Sequence, residues 1–596
     1  MKDILKKINR QLTIKNVSSA AILLNLASIV LGIIYLAIQI YSIMWDIFGV
    51  ILFITLFGNL LLVYLNTIKL NKNTELGNRL NILCYIYLIF IIIAMLLMPA
   101  SNFLISVTYS NAVIDNIGTY GMVIFFYFGV MLLGMFISLV DFKNLDNREL
   151  WDLETKGVLT PSKKILLIKK ILKIILGLIS ILTLLLGIFL AYSLLTAGWV
   201  LGMVLPEFAF ALSFIILSTT IILLKMINRK KKVKIHYGIA IIGLVVSGIL
   251  LVPLFLTSYS IYSAEASFTE TFGDDWRSEI DPDVEEKYFM KTHFSIPGLF
   301  LGIKPKECNY KVDISFFDGS KSNYSEDEDI ELFFDVFWPK NDADDLPGQK
   351  DGKYSIIIKI HGGGWKYGDK GVGHMMQVNK YFAAQGYIVY DIQYGLKETK
   401  GALSNILPTP ENVLGDFDVD DMVRHIGNFT QYIAKDSNDY SADELDGNLD
   451  CVFVSGGSAG GHLTCTTALA IANGGFPEIF GTSLTIKGQI PFYPANGHSR
   501  LEGDTYGEVF DKPEKHLIDK DSPPCLIYQG THDKSCASVS RVIKEEYDEV
   551  GNDECCIIWL PMSGHANDVY FSGYYNQVFL YYMERFLYLC VNDKIV

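Results

Sequence analysis

Between residues 100 and 117, and again between 198 and 207, there is not one lysine or arginine, and seven apolar runs in the first 257 residues contain no Asp, Glu, Lys or Arg. Channels and transporters place ionisable residues at bilayer depth, where each is costly and therefore kept for function, so this absence favours an anchor or scaffold. Cysteine is also scarce, nine in 596 residues without a C-x-x-C spacing, and the ten histidines form no cluster in the sequence. That leaves no ligand pattern for zinc, and no metal or cofactor is expected. There is no internal repeat and no low-complexity tract. The acidic balance, 64 Asp and Glu against 50 Lys and Arg, argues against a nucleic-acid partner.

What is present is divided unequally along the chain. Residues 1–257 hold 22 Lys and Arg against 10 Asp and Glu, and residues 258–596 hold 28 against 54, so a basic apolar front precedes an acidic back. The seven runs fall at about 18–41, 47–67, 80–99, 118–140, 174–197, 208–224 and 236–257, each near the roughly 20 residues a helix needs to span a bilayer. Lysine and arginine collect in alternate loops: Lys2, Lys6, Lys7, Arg10 and Lys15 before the first run, Lys69, Lys72 and Arg79 after the second, Lys163 to Lys173 before the fifth, and Asn228 to Lys234 after the sixth. Retention of positive charge on the cytoplasmic side then predicts a cytoplasmic N-terminus and a chain that leaves the seventh helix outside. The lipid bilayer is thus one expected partner; nothing in the sequence fixes an oligomeric state.

From about residue 262 the pattern changes to short β-rich runs alternating with helical spacing, the mark of an α/β sheet. Apolar runs occupy 329–338, 355–361, 386–392, 450–455, 486–493, 524–529 and 555–560, several of them continuous, as in strands covered on both faces. Val419, Met422, Val423 and Ile426 repeat at helical intervals between them.

Gly456-Gly457-Ser458-Ala459-Gly460 is a G-x-S-x-G between an apolar strand and a helix start. A serine on so tight a strand-to-helix turn needs Gly456 and Gly460 beside it, because the backbone is strained and side chains would crowd the hydroxyl. His361-Gly362-Gly363-Gly364 follows an earlier strand, 97 positions upstream, where an oxyanion hole draws amides from a glycine loop. Gly363, Gly364 and Ala459 are the candidate amide donors, with His361 bracing the loop rather than acting as a base. Asp533 and His565 each follow a later strand, in the chain order serine, acid, histidine. His532 beside Asp533, and Asp568 beyond His565, compete for those roles.

These landmarks resemble the α/β-hydrolase esterase and lipase family, in particular its hormone-sensitive-lipase-like and acetyl- and feruloyl-esterase-like branch. The similarity rests on DVFWP (335–339), HGGGW (361–365), DIQYGL (391–396), DVDDMVRHI (418–426), SGGSAGGHL (455–463), YQGTHD (528–533) and GHAND (564–568). The resemblance implies hydrolysis of small carboxylic esters by Ser458, Asp533 and His565, without metal or cofactor. Gly457 stands where the family more often has Asp, and Gln393 and Gly395 replace the Asp and Arg of its DYRL, which puts the local bracing in doubt.

The segment 496–520 is short and polar, without the apolar helix of an interfacial lid, which favours an open cleft. Cys451, Cys525, Cys555 and Cys556 fall in or beside predicted strands and Cys465 on a helix, as small apolar core residues. The expected organisation is a basic N-terminus (1–17), a seven-helix membrane bundle (18–257), a linker or cap (258–324) and an α/β-hydrolase domain (325–596) outside the cytoplasm. An acyltransferase acting on an envelope sugar or lipid, and an inactive scaffold or receptor, remain open alternatives.

Overall fold

The computed structural model describes residues 13–38, 43–70, 74–108, 117–144, 163–229, 231–304, 306–340, 345–371, 375–399 and 409–595. The predicted cytoplasmic residues Lys2, Lys6, Lys7, Arg10 and Lys72 lie outside them. The chain forms two compact units: Met1–Ile105, Val113–Phe255 and Phe294–Lys304 make the first, and Ser106–Ala112, Leu256–His293 and Pro305–Val596 the second.

The first unit is helical. Among the described residues, seven helices are long and apolar enough to cross a membrane: α1 (Ile14–Ala37), α2 (Ile43–Lys69), α3 (Glu75–Ser106), α4 (Ile117–Lys143), α5 (Lys163–Thr196), α6 (Trp199–Met226) and α7 (Val233–Phe272). Even α1, with 24 residues, is about 36 Å long at 1.5 Å per residue, more than the ~30 Å of a hydrocarbon core. The apolar runs themselves are free of Asp, Glu, Lys and Arg, but the helices extend past them and take in Asp46, Asp141, Glu207 and Lys225. Asp141 accepts a hydrogen bond from Asn66 Nδ2 at 2.7 Å. The Asn25 and Asn59 amides bond reciprocally at 2.8 and 2.9 Å, joining α1 to α2. A Cβ on Gly134 of α4 would sit 2.3 Å from Asn59 Nδ2, so glycine is what admits that pair. Side-chain hydrogen bonds across close helix contacts are how helices associate where no hydrophobic force separates them from lipid.

The second unit is built on a twisted sheet. Its eight principal strands are β1 (Asn309–Asp318), β2 (Glu331–Trp338), β3 (Lys353–Ile360), β4 (Tyr387–Ile392), β5 (Gly447–Gly457), β6 (Ile486–Phe492), β7 (Cys525–Gly530) and β8 (Cys555–Leu560). They lie in the order β1-β2-β4-β3-β5-β6-β7-β8, with the two-residue strand Gln349–Lys350 also paired to β3. Pairing is parallel from β4 to β8 and antiparallel for β1 with β2 and β2 with β4. Seven of these strands coincide, within three residues, with the apolar runs of the sequence; β1 does not, because its half-exposed residues give no continuous apolar signal. The strands β4 and β7 are buried at every position, as parallel strands covered on both faces must be.

Helices α8 (Met375–Ala383), α9 (Val419–Ile433), α10 (Ala459–Asn473), α11 (Lys534–Glu549) and α12 (Tyr574–Val591) connect and cover the strands. The start of α9 is fixed by a capping box: Asp418 accepts from the Asp421 amide at 3.1 Å, and Asp421 from the Asp418 amide at 3.2 Å. Val419, Met422, Val423 and Ile426 are all buried on its inner face. All nine cysteines are buried, and none forms a disulfide among the described residues.

One buried ion group ties α9 to the segment before β2. Asp327 receives Arg424 Nη2 at 3.0 Å and faces His425 Nε2 at 2.9 Å, and none of its side chain reaches solvent. The other imidazole nitrogen, Nδ1, accepts from the Gly395 amide at 3.2 Å, so His425 is neutral with its proton on Nε2. Burial by itself raises the Asp327 carboxyl, but the hydrogen bonds from His425 and Arg424 outweigh it and hold the group well below its ordinary 3.8. A carboxyl depressed in the native state contributes stability that is complete above its unfolded value and is lost as pH falls through the native one. Asp327→Ala, which removes the buried acceptor of His425 Nε2 and leaves Arg424 only Asp421, is expected to cost about 3–5 kcal/mol and to lower the melting temperature of the full chain in detergent by on the order of 10 °C. Between pH 4 and pH 2 the wild type should lose stability that the variant no longer has to lose.

Candidate active site

The candidate nucleophile, Ser458, stands at the centre of the sheet. Ser458 stands between β5 and α10 with φ +58° and ψ −119°, a conformation that a side chain rarely adopts. Its amide donates to Phe492 O at 3.0 Å, pinning the turn to the end of β6. The flanking glycines are required by what they touch. A Cβ on Gly456 would lie 2.3 Å from Ile360 O, and one on Gly460 2.2 Å from the same oxygen. The sequence assigned these glycines to keeping the hydroxyl clear; the tighter constraint is the backbone at the end of β3.

That backbone continues into the glycine loop. A Cβ on Gly362 would be 2.5 Å from Gly457 O and 3.4 Å from Ser458 Cβ, so the loop lies directly against the serine. Gly363 and Gly364 have φ of +130° and +63°, and a Cβ on Gly363 would fall 1.8 Å from Tyr367 O. The amides of Gly363, Gly364 and Ala459 have no backbone acceptor among the described residues. Donors left open beside a serine hydroxyl are what oxyanion stabilisation requires.

His361 braces the loop. Its Nδ1 lies 2.9 Å from Gly362 O and its ring stacks on Tyr394, with centroids 4.5 Å apart. Burial lowers the imidazole from its ordinary value, so it stays neutral and can donate from Nδ1. The Tyr394 hydroxyl donates in turn to His361 O at 2.9 Å.

The candidate acid and base stand at the ends of β7 and β8. Asp533 caps α11, and its Oδ2 lies 2.6 Å from His565 Nδ1. His565 Nε2 is 2.8 Å from Ser458 Oγ. With Nδ1 donating to the carboxylate, Nε2 is left as the acceptor for the serine proton. The two competitors stand elsewhere: Asp568 accepts from the Tyr493 hydroxyl at 2.5 Å, and His532 Nδ1 has no partner among the described residues.

Four supporting residues carried no role in the sequence. Trp365 Nε1 donates to His462 Nδ1 at 3.2 Å, and His462 Nε2 donates to Phe510 O at 2.7 Å, linking the glycine loop through α10 to the segment after β6. Tyr493 packs on His565 with ring centroids 4.7 Å apart. Its hydroxyl would be 2.9 Å from a Cβ on Gly457, so a larger residue there would have to displace the ring. Gln393, at a departure from the family pattern, donates to Asp369 Oδ1 at 2.7 Å and accepts from the Phe333 amide at 3.0 Å. Their only signal was position within HGGGW, GGHL or DIQYGL, or at the end of an apolar run; the partners are distant in sequence.

The sheet order, with a serine turn after its fifth strand and the acid and histidine after the seventh and eighth, defines an α/β-hydrolase domain. Residues 345–489 match the BD-FAE family model. The chain is similar to Mycobacterium tuberculosis LipM, named a "Probable carboxylic ester hydrolase", with 22% identity over 280 residues that cover 43% of this chain and 56% of that one. It thus spans little more than half the length of that relative. Similar solved structures include Lactobacillus rhamnosis esterase B inhibited by a C4-C4 SN3 tributyrin phosphonate, with 20% identity, coverage of 48% of this chain and 88% of that one, and TM-score 0.34. Apo Thermogutta terrifontis esterase 2 matches with 22% identity, 47% and 91% coverage and TM-score 0.32. Pyrobaculum calidifontis esterase matches with 15% identity, 48% and 86% coverage and TM-score 0.34.

The hydrogen-bond pattern separates the two candidate acids. Asp533→Asn, which reverses the imidazole tautomer, should slow fluorophosphonate labelling of Ser458 by roughly 10³-fold or more, whereas Asp568→Asn should slow it by no more than about tenfold. Equal slowing in both would reassign the acid.

Proposed function

We propose that this chain is a membrane-anchored serine carboxylesterase that hydrolyses short-chain acyl esters, with its catalytic domain outside the cytoplasm. The observation that carries the reading is the continuous line from Asp533 Oδ2 through His565 to Ser458 Oγ, at 2.6 and 2.8 Å, beside a loop of open amides. Ser458 attacks the ester carbonyl as His565 Nε2 takes its proton, and Asp533 stabilises the imidazolium that forms. The carbonyl oxygen becomes an oxyanion, held by the amides of Gly363, Gly364 and Ala459. His565 then returns the proton to the departing alcohol, leaving an acyl-enzyme. Water, deprotonated by the same nitrogen, releases the acid and restores the serine.

Seven helices that fit a bilayer support the anchor, and the alternation of basic loops supports the orientation. The polar segment 496–520 folds into the short helices Glu508–Asp511 and Pro513–His516 rather than a long apolar one, which supports small or polar esters over triglyceride.

In purified full-length protein, Ser458→Ala should abolish hydrolysis of p-nitrophenyl acetate and butyrate; retention of activity would remove Ser458 from the reaction. Gly363→Ala should lower kcat by about 10²-fold, through a displaced amide donor. Orientation has its own test. A cysteine introduced within 496–520 should react with a membrane-impermeant maleimide in intact cells, and reaction only after lysis would place the domain inside.

A further inference from the structure

Behind the histidine of the relay stands a third donor. Cys536, in the first turn of α11, has its Sγ 3.7 Å from His565 Nδ1, and its amide donates to Asp533 Oδ1 at 3.4 Å. One ligand atom from each of Asp533, Cys536 and His565 lies within 4.8 Å of the other two, the only such group of three among the described residues. A tetrahedral zinc ion with bonds of about 2.0 Å to nitrogen or oxygen and 2.3 Å to sulfur sets nitrogen and sulfur about 3.5 Å apart, and nitrogen and oxygen about 3.4 Å apart. The sulfur is already at that separation. The carboxylate, at 2.6 Å from Nδ1, needs only to withdraw by a fraction of an ångström. Thr531, Lys534 and Ser535 around the group are exposed, so a small ion has a short path from solvent.

We propose that Asp533, Cys536 and His565 form an inhibitory site for a thiophilic divalent cation, of which Zn²⁺ and Cd²⁺ are the probes. The cation bonds to the carboxylate, the thiolate and Nδ1. Its arrival displaces the thiol proton to solvent, and the Nδ1 proton shifts to Nε2, so the imidazole stays neutral and one proton leaves per ion bound. The nitrogen facing Ser458 then carries a hydrogen and cannot accept the serine proton. The ion is here an inhibitor of the relay, not a participant in ester cleavage. The triad alone does not supply this property: without Cys536, only two donors remain, already bonded to one another.

The inhibition rests on the esterase reading, but the binding does not, and the test separates them. Full-length protein in detergent is titrated with CdCl₂, following both hydrolysis of p-nitrophenyl butyrate, relative to each protein's own metal-free rate, and the ultraviolet thiolate-to-cadmium charge-transfer band. The expected result is inhibition reversed by EDTA, a half-inhibitory concentration at least roughly tenfold higher in Cys536→Ser and Cys536→Ala, and one equivalent of charge-transfer absorbance lost in both variants. Ser458→Ala, inactive as a hydrolase, should keep the full absorbance. Inhibition equal in the wild type and both Cys536 variants, or no Cys536-dependent absorbance, overturns the site. Cys536-dependent absorbance in a protein without hydrolysis would uphold the site and overturn the esterase reading instead.

Discussion

The catalytic arrangement depends on one close approach, between the backbone of residues 456–460 and that of residues 360–362. At Gly456 and Gly460 a single added carbon would overlap Ile360 O, and at Gly362 it would overlap Gly457 O. Because Gly456, Gly460 and Gly362 carry no side chain at these contacts, the end of β5 can turn sharply over the end of β3. The serine and the open amides are thereby placed side by side without any flexible side chain setting the distance. In the proposed reaction oxyanion stabilisation works through donors fixed in advance, and this steric fit of backbone on backbone is what would fix them.

The remaining machinery is held against that fixed point by buried hydrogen bonds. Trp365 and His462 tie the glycine loop to α10, Tyr394 and His361 stack beneath it, and Tyr493 packs against His565 while its hydroxyl is held by Asp568. Each of these polar groups would be costly if left unpaired in the interior, so the network has few alternative arrangements. Asp327, Arg424 and His425 play the same part farther from the chemistry, and the reciprocal Asn25–Asn59 pair does so within the helical unit.

Much of this was legible in the chain order. Continuous apolar runs gave seven of the eight principal strands, since parallel strands buried on both faces must be apolar throughout, while β1, half exposed, left no such trace. Ser458, Asp533 and His565 could be nominated because each follows a strand, and strand ends on one edge of a parallel sheet converge. Strand position and chain order favoured Asp533 over Asp568; in the fold Asp533 Oδ2 lies 2.6 Å from His565 Nδ1, whereas Asp568 accepts from the Tyr493 hydroxyl. The departures at Gln393 and Gly395 had raised a doubt about local bracing; Gln393 holds Asp369 directly, and Gly395 makes room for His425, whose Cε1 would be 2.6 Å from a Cβ there.

By itself, the sequence determined the two-part character of the protein, seven bilayer-length apolar helices before an acidic α/β domain, because hydrophobic period and charge are properties of local stretches. It also determined the residue types of the site, because strained turns and close amides admit only glycine. The tertiary structure alone decided how closely the acid approaches the histidine, which aromatic rings hold it and which thiol stands behind it. Such relations join residues 29 to 97 positions apart at polar-atom separations of 2.6 to 3.7 Å, and no local pattern encodes a distance.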